Sequence, residues 1–326
     1  MHPFEDLQKI IEKEIEIFSK ELENKNTLYK PIQYILQLGG KKIRPTLCLL
    51  SAELFGGKIQ DAIPAAVAIE LFHNFTLMHD DIMDNAPLRR GQKTVHEKWN
   101  KNAAILSGDA MLVKAYQEIL KTSTKNAPTI LEIFNRTALE VCEGQFSDME
   151  FEKRNHVTIA DYVEMIRLKT SVLLAASMKM GALIGNASLE DAENIYQFGE
   201  ALGIAFQLQD DLMDAYSEPE NFGKQVGGDI IANKKTFLLL KALEKASIEE
   251  RNQINQLLQI DSHKENESKV LEMKNIYNRL DIPKDCETEI QLYYKKSLQF
   301  LLNINLEQEK KLVLQSFASS LMQRKS

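Results

Sequence analysis

Apolar residues recur at helical spacing along nearly the whole chain. Residues 4–22 set Leu7, Ile10, Ile11, Ile15 and Phe18 on one stripe, the three-and-four spacing of an amphipathic helix. Pro31 opens a second segment that stops at Gly39-Gly40, with proline in the first turn and glycine past the end. Pro45 starts a third, reaching Phe55, and Pro64 starts a long apolar one, AAVAIELFHNFTLM, that ends before Pro87. The helical pattern resumes over residues 103–121, 129–151 and 159–184. Ser188 and Asp191 mark the next start, a capping box with Asp in place of Glu or Gln; that helix runs on towards Pro219. Beyond a loop at 218–228, shorter helices are expected as far as Met322, with the polar run DSHKENES at 261–268 as a surface loop. Strand-type alternation is nearly absent. The pattern predicts an all-α chain, one domain over residues 1–326, with no linker.

Composition narrows the classes. The chain has 326 residues, 44% hydrophobic and 27% charged, as in an ordinary globular protein able to bury a large core. A net charge of −7 leaves no basic excess for a nucleic-acid backbone. Cys48, Cys142 and Cys286 are few and widely spaced, which predicts reduced thiols and a cytoplasmic location. Cys142 reads as a core residue. No apolar run approaches the length of a membrane span, and the charged amphipathic N-terminus does not resemble a signal peptide.

Two acidic clusters interrupt this helical pattern. Asp80, Asp81 and Asp84 lie in HDDIMD, and Asp210, Asp211 and Asp214 repeat the spacing in QDDLMD. Positions i and i+4 share a helix face, so Asp80 pairs with Asp84 and Asp210 with Asp214. Like charges so placed repel by roughly 0.2–0.5 kcal/mol per pair. Helix C-terminal ends disfavour anions by about 0.3–1 kcal/mol more. A hard divalent cation reverses that sign, and Mg²⁺ prefers carboxylate oxygens while keeping positions for water and phosphate. One such cluster is an ordinary acidic helix end; two matching ones point to metal chemistry.

Cations accompany the clusters. Lys41, Arg44, Arg89, Arg90, Lys169, Lys224 and Lys234 lie beside turn signals or in helices flanking the aspartates. A polyphosphate bound through metal calls for such residues, Arg as a fork and Lys as a point charge. Gly39-Gly40-Lys41 lacks P-loop spacing, and no GxGxxG follows a strand, so nucleotide folds are unsupported.

In order along residues 39–240, these segments resemble the trans-isoprenyl diphosphate synthase (polyprenyl synthetase) family. Residues GGKKIRP at 39–45 are similar to its GGKxxRP segment. Glu70 to His73 and the first aspartate motif with Arg89-Arg90-Gly91 follow. GQFSD at 144–148 resembles the family's GQxxD segment and Lys169-Thr170 its KT pair. The second aspartate motif, Gly223-Lys224 and Lys234-Lys235-Thr236-Phe237 complete the set, with Leu238 where members often carry proline. The resemblance implies a helical bundle of the isoprenoid-synthase type with a central cavity, and a homodimer. It implies condensation of isopentenyl diphosphate with an allylic diphosphate, with three Mg²⁺ held by Asp80, Asp84, Asp210 and Asp214. It assigns Arg89, Lys169, Lys224 and Lys234 to the departing diphosphate, and Lys41, Arg44, His73 and Arg90 to isopentenyl diphosphate. Thr170 and Gln207 would steady the allylic cation, and Asp148 would orient Lys169 or Arg89.

Product length is read from the turn before Asp80. Thr76 precedes it by four residues and Phe75 by five. In the family, bulk at the Phe75 position blocks the growing tail, so Phe75 with a small Thr76 implies a fifteen- or twenty-carbon product. Three alternatives stay open: a longer-chain synthase, a class I terpene cyclase and a non-catalytic partner subunit.

Overall fold

The computed structural model describes residues 1–23, 25–154, 156–217, 227–260 and 266–323. Its helices are α1 (Phe4–Glu21), α2 (Lys30–Gln37), α3 (Ile43–Leu54) and α4 (Ile59–Met83). A two-stranded hairpin, β1 (Leu88–Arg89) and β2 (Gln92–Lys93), separates these from α5 (Val95–Lys98) and α6 (Lys101–Ile119). Then come α7 (Ala127–Lys153), α8 (Ile159–Ile166), a π-turn at Arg167–Ser171, α9 (Val172–Ile184) and α10 (Leu189–Tyr216). The remainder is α11 (Gly228–Ile231), α12 (Phe237–Lys245), α13 (Ile248–Leu258), α14 (Asn266–Arg279), α15 (Ile282–Asn303) and α16 (Gln308–Gln323). The chain is all-α, as its periodicity predicts.

Four sequence expectations need correction. Pro64 does not open α4 but lies inside its first two turns; the preceding residues from Ile59 carry enough buried apolar surface, Ile59 and Ala62, to extend the helix upstream. The single helix expected over 159–184 is broken by the π-turn. The last segment is not uniformly short, since α15 has 22 residues. Of the loop expected at 261–268, residues 261–265 lie outside the described residues, and α14 already begins at Asn266.

The chain divides into two compact units. One comprises Met1–Leu139, Leu173–Tyr196 and Asn303–Leu306; the other comprises Glu140–Val172, Gln197–Leu302 and Glu307–Ser326. In the first, α4 is flanked by α3 and α6. It is apolar all round, with Ala65, Ala66, Ala68, Ile69, Leu71 and Phe72 buried, the pattern of a core helix rather than a surface one. In the second, Tyr162, Ile166, Leu208, Phe237, Leu239 and Tyr277 form the centre of one apolar cluster. Each aspartate motif thus sits on a long helix anchored in its own core.

Candidate active site

In the first unit, Asp80 and Asp84 fall at the C-terminal end of α4, where Asp84 closes the helix through its N–H to Asp80 O at 2.8 Å. Asp84 is exposed and Asp80 half-buried. Asp81, about 100° further round the helix, is 2% exposed. Arg89 grips it in a fork: Nε donates at 2.9 and 3.0 Å, and Nη2 at 2.8 Å. The first motif therefore divides its labour. Its outer carboxylates are half-buried or exposed, while its inner one fixes Arg89.

The hairpin that carries Arg89 turns at Arg90-Gly91, with φ of 52° and 73°. Positive φ at both central residues is the type I′ geometry that matches strand twist. It delivers Arg90 to the loop before α3, where Nη1 donates to Gly39 O. Gly40 has φ of 121°, and a Cβ there would fall 2.6 Å from the Arg90 guanidinium. The paired glycines are thus where the arginine lies. The same loop is pinned from below by Lys42, whose Nζ donates to Glu70 Oε1 at 2.9 Å. Asn74 donates to the same oxygen at 2.7 Å, and both charged side chains are nearly inaccessible.

Between these anchors the cations converge. Arg44 Nη1 lies 3.5 Å from His73 Nε2, so that nitrogen is the acceptor. Burial first, then Arg44, Arg90, Arg89 and Lys42, holds His73 well below its ordinary value, leaving the ring neutral. Burial also pulls Arg44 down, against the opposing pull of Glu70. Its Nε is buried without a hydrogen-bond partner, a cost of about 1–3 kcal/mol or more for a charged donor. A cluster of arginines with an unsatisfied buried donor suits an anionic ligand. Lys41 stands exposed in the same loop.

In the second unit, one cleft is lined by Asp148, Lys169, Thr170, Gln207, Asp211 and Lys234, among others. Lys169 Nζ donates to Asp148 Oδ2 at 2.6 Å, and Lys234 Nζ lies 4.0 Å from the same oxygen. Of the two partners the sequence offered Asp148, it takes Lys169. Thr170 Oγ1 donates to Gln207 Oε1 at 3.2 Å, and Gln207 Nε2 donates to Asp211 Oδ1 at 3.0 Å. The Tyr162 hydroxyl takes the other oxygen of Asp211. Asp211 is 5% exposed. Burial and the nearby Asp229 push it up to about 8, against the hydrogen bonds from Tyr162 and Gln207. The second motif repeats the division of the first: the inner aspartate orients neighbours, while Asp210 and Asp214 are only partly covered. Asp214 Oδ2 accepts the Asp229 N–H at 3.0 Å, at the start of α11.

Lys169 and Thr170 project from the π-turn, where one extra residue widens the helix. Room for that bulge comes from glycine on both sides. A Cβ on Gly144 would sit 2.4 Å from Lys169 N, and one on Gly203 would sit 2.8 Å from Ser171 Cα. The glycine of GQFSD is therefore a spacer for the helix carrying Lys169.

Among the described residues, no three His, Cys, Asp or Glu side chains close on one point as a ready-made metal cage. A carboxylate donor set with no nitrogen or sulfur ligand suits a hard cation that shares its shell with phosphate oxygens, which is how Mg²⁺ is commonly held. Lys224 lies outside the described residues. Cys142 is exposed rather than in the core, while Cys48 and Cys286 are buried. The sequence reading missed the orienting role of the inner aspartates, the Lys42–Glu70 pair and the spacer role of the glycines. Only the aspartates carried a signal, their angular offset from the i, i+4 pair.

Comparison with known proteins gives the family. Residues 25–277 match the model of the polyprenyl synthetase family. The chain is 44% identical over 220 residues to the geranylgeranyl diphosphate synthase of Methanosarcina mazei, covering 67% of this chain and 68% of that one. It is 42% identical over 233 residues to the short chain isoprenyl diphosphate synthase of Methanothermobacter thermautotrophicus, covering 71% and 72%. A crystal structure of a geranylgeranyl pyrophosphate synthase matches with a TM-score of 0.95 at 42% identity over the whole of both chains. The geranylgeranyl pyrophosphate synthetase of Pyrococcus horikoshii matches with a TM-score of 0.89 at 33% identity, covering 98% of this chain and 99% of that one. The chain belongs to the polyprenyl synthetase family and is a short-chain trans-prenyltransferase.

Proposed function

We propose that this enzyme condenses isopentenyl diphosphate with allylic diphosphates and releases an all-trans product of twenty carbons. The observation that carries the reading is the convergence of Arg44, Arg89 and Arg90 on a neutral His73, with Arg44 Nε buried and unpartnered. Such a cluster is unfavourable until an anion enters. Arg44, Arg90, His73 and exposed Lys41 bind the diphosphate of isopentenyl diphosphate. His73, held neutral, offers the substrate a hydrogen bond without adding a charge.

Asp80 and Asp84 in the first unit, and Asp210 and Asp214 in the second, would hold Mg²⁺, three ions by family resemblance, which would supply electrostatic stabilisation of a departing allylic diphosphate. Arg89 in the first unit, and Lys169 and Lys234 in the second, would add fixed positive charge for a departing diphosphate, with Lys224 assigned by resemblance alone, and preorganised charge of this kind is commonly the largest catalytic contribution. Thr170 spends its hydroxyl hydrogen on Gln207, so its lone pairs remain for the electron-poor allylic carbon, which a hydroxyl steadies without strong nucleophilic competition. Gln207 is held in turn by Asp211.

Phe75, 9% exposed on α4, stops the growing tail. Thr76, whose hydroxyl is tied back to His73 O at 2.8 Å, leaves room beside it. Relatives named as geranylgeranyl diphosphate synthases support the twenty-carbon assignment. We assign the enzyme to the cytoplasm as a homodimer. On α6 and its last turn, Leu106, Val113 and Leu120 recur every seven residues at 58%, 57% and 69% exposure, an apolar stripe suited to a second copy. No helix among the described residues is long and apolar enough to cross a membrane.

The test incubates the purified chain with Mg²⁺, labelled isopentenyl diphosphate and allylic primers of several lengths. Twenty-carbon product is expected from each shorter primer. Absence of labelled product with every primer overturns the proposal, and a different dominant length overturns the chain-length part alone.

A further inference from the structure

His79 occupies the last position before the first aspartate motif and has no part in the chemistry above. Its ring is nevertheless fixed from three sides. Nε2 lies 3.2 Å from Ile105 O on α6; a carbonyl only accepts, so Nε2 carries the hydrogen. The imidazole also fills the notch left by Gly108: a Cβ there would fall 2.2 Å from Nε2 and 2.6 Å from Cδ2. Asp109 Oδ1 stands 3.8 Å from Nε2 at the exposed edge. On its inner side the ring meets Phe75 edge-on, with centroids 4.7 Å apart. These two residues are an i, i+4 pair, the spacing at which helix side chains touch.

Phe75 is held from the other side too. Its ring leans on Phe72 at 5.7 Å, Phe72 meets Phe134 edge-on at 5.6 Å, and Phe134 meets Tyr116 at 5.2 Å. Phe72, Phe134 and Tyr116 form a continuous aromatic backing, and His79 meets Phe75 on its other flank. A ring wedged between two neighbours keeps one rotamer; with one neighbour removed, the vacated space admits a second.

We propose that His79, seated over Gly108, is a positioning residue for product length: it braces Phe75 in the orientation that stops the tail. This inference rests on the reading of Phe75 as the stop. Removing the imidazole opens the notch over Gly108, Phe75 swings into it, and the tail passes. Filling the notch with a methyl group at residue 108 displaces His79 and has the same effect with the histidine still present.

The experiment compares His79→Ala, His79→Phe, Gly108→Ala, Phe75→Ala and the Phe75→Ala/His79→Ala double variant. Products are resolved by mass spectrometry under saturating isopentenyl diphosphate, with thermal melts and total incorporation rates alongside. His79→Ala and Gly108→Ala are expected to raise the ratio of longer to wild-type product about tenfold, the low end of what one apolar contact decides in a pocket. His79→Phe, which keeps a ring edge against Phe75, retains the wild-type length. The double variant makes products no longer than Phe75→Ala alone, since a brace without its ring has nothing to hold. Lengthening by Phe75→Ala with unchanged products from His79→Ala and Gly108→Ala overturns the brace. Unchanged products from Phe75→Ala overturn the stop itself, and the brace with it. A variant that only melts earlier, with wild-type product lengths, also counts against the proposal, because plain packing does no more than that.

Discussion

Asp81 and Asp80 are neighbours with opposite duties, and substitution separates them. Asp81 is buried and pairs in a fork with Arg89. Asp81→Asn should therefore cost stability, about 1.5–3 kcal/mol for a charge-assisted hydrogen-bonded contact, visible in urea titration, together with activity. Asp80→Asn removes a partly covered carboxylate beside Asp84. It should leave the urea midpoint near wild type while turnover falls about 10²–10³-fold, the scale set by losing one preorganised charge contact. Equal stability losses for the two would refute this division. His73 predicts a pH effect. Its folded-state value is depressed by burial and by Arg44, Arg90, Arg89 and Lys42. The unfolded chain therefore takes up a proton near pH 6.5 that the folded chain refuses. Stability contributed by this residue is full above that pH and declines as pH falls below it, by up to about 1.4 kcal/mol per unit. His73→Gln should flatten the difference between urea midpoints at pH 7 and pH 5.

The π-turn is the element on which the second unit's cleft depends. Helical periodicity continues through residues 159–184, so an unbroken helix is what the sequence alone supports. The bulge exists because Gly144 and Gly203 on neighbouring helices let the widened turn approach, and Lys169 and Thr170 then meet Asp148 and Gln207. Gly144→Ala places a methyl group 2.4 Å from backbone nitrogen, which cannot yield as a side-chain tip can. It should destabilise by about 1–3 kcal/mol, the usual cost of overpacking, and slow turnover as Lys169 shifts. A melting temperature equal to wild type with full activity would show that the turn accommodates the methyl group. The hairpin is the corresponding element in the first unit. Its type I′ turn sets Arg90 on Gly39 O while Arg89 reaches Asp81, and the Tyr34 hydroxyl ties it down by donating to Lys93 O at 2.7 Å.

At the scale of the molecule, the exposed stripe Leu106, Val113 and Leu120 is the apolar surface on which the proposed dimer rests. Leu106→Lys with Val113→Lys should convert a dimer to a monomer in sedimentation velocity, because charge cannot be desolvated there without a counter-ion. Wild-type chain sedimenting as a monomer at micromolar concentration would refute the dimer. Each aspartate motif is anchored in a separate compact unit with its own core, so damage to one core should lower the local order of one motif first.

The chain's hydrophobic periodicity by itself determined the helices, because a 3.6-residue repeat of apolar positions has few other ways to bury itself. The sequence also determined which carboxylates share a face, since the i, i+4 relation is fixed once the helix is. Tertiary structure alone decided the rest. It turned Asp81 towards Arg89 and Asp211 towards Tyr162, pinned the Gly39–Lys42 loop through Arg90 and Glu70, and opened the helix at Lys169. The Tyr162–Asp211, Arg90–Gly39 and Lys42–Glu70 contacts join residues 49, 51 and 28 positions apart, which local pattern does not encode. Charge and spacing name the residues proposed to bind diphosphate; packing chooses which of them stay exposed and which hold the others still.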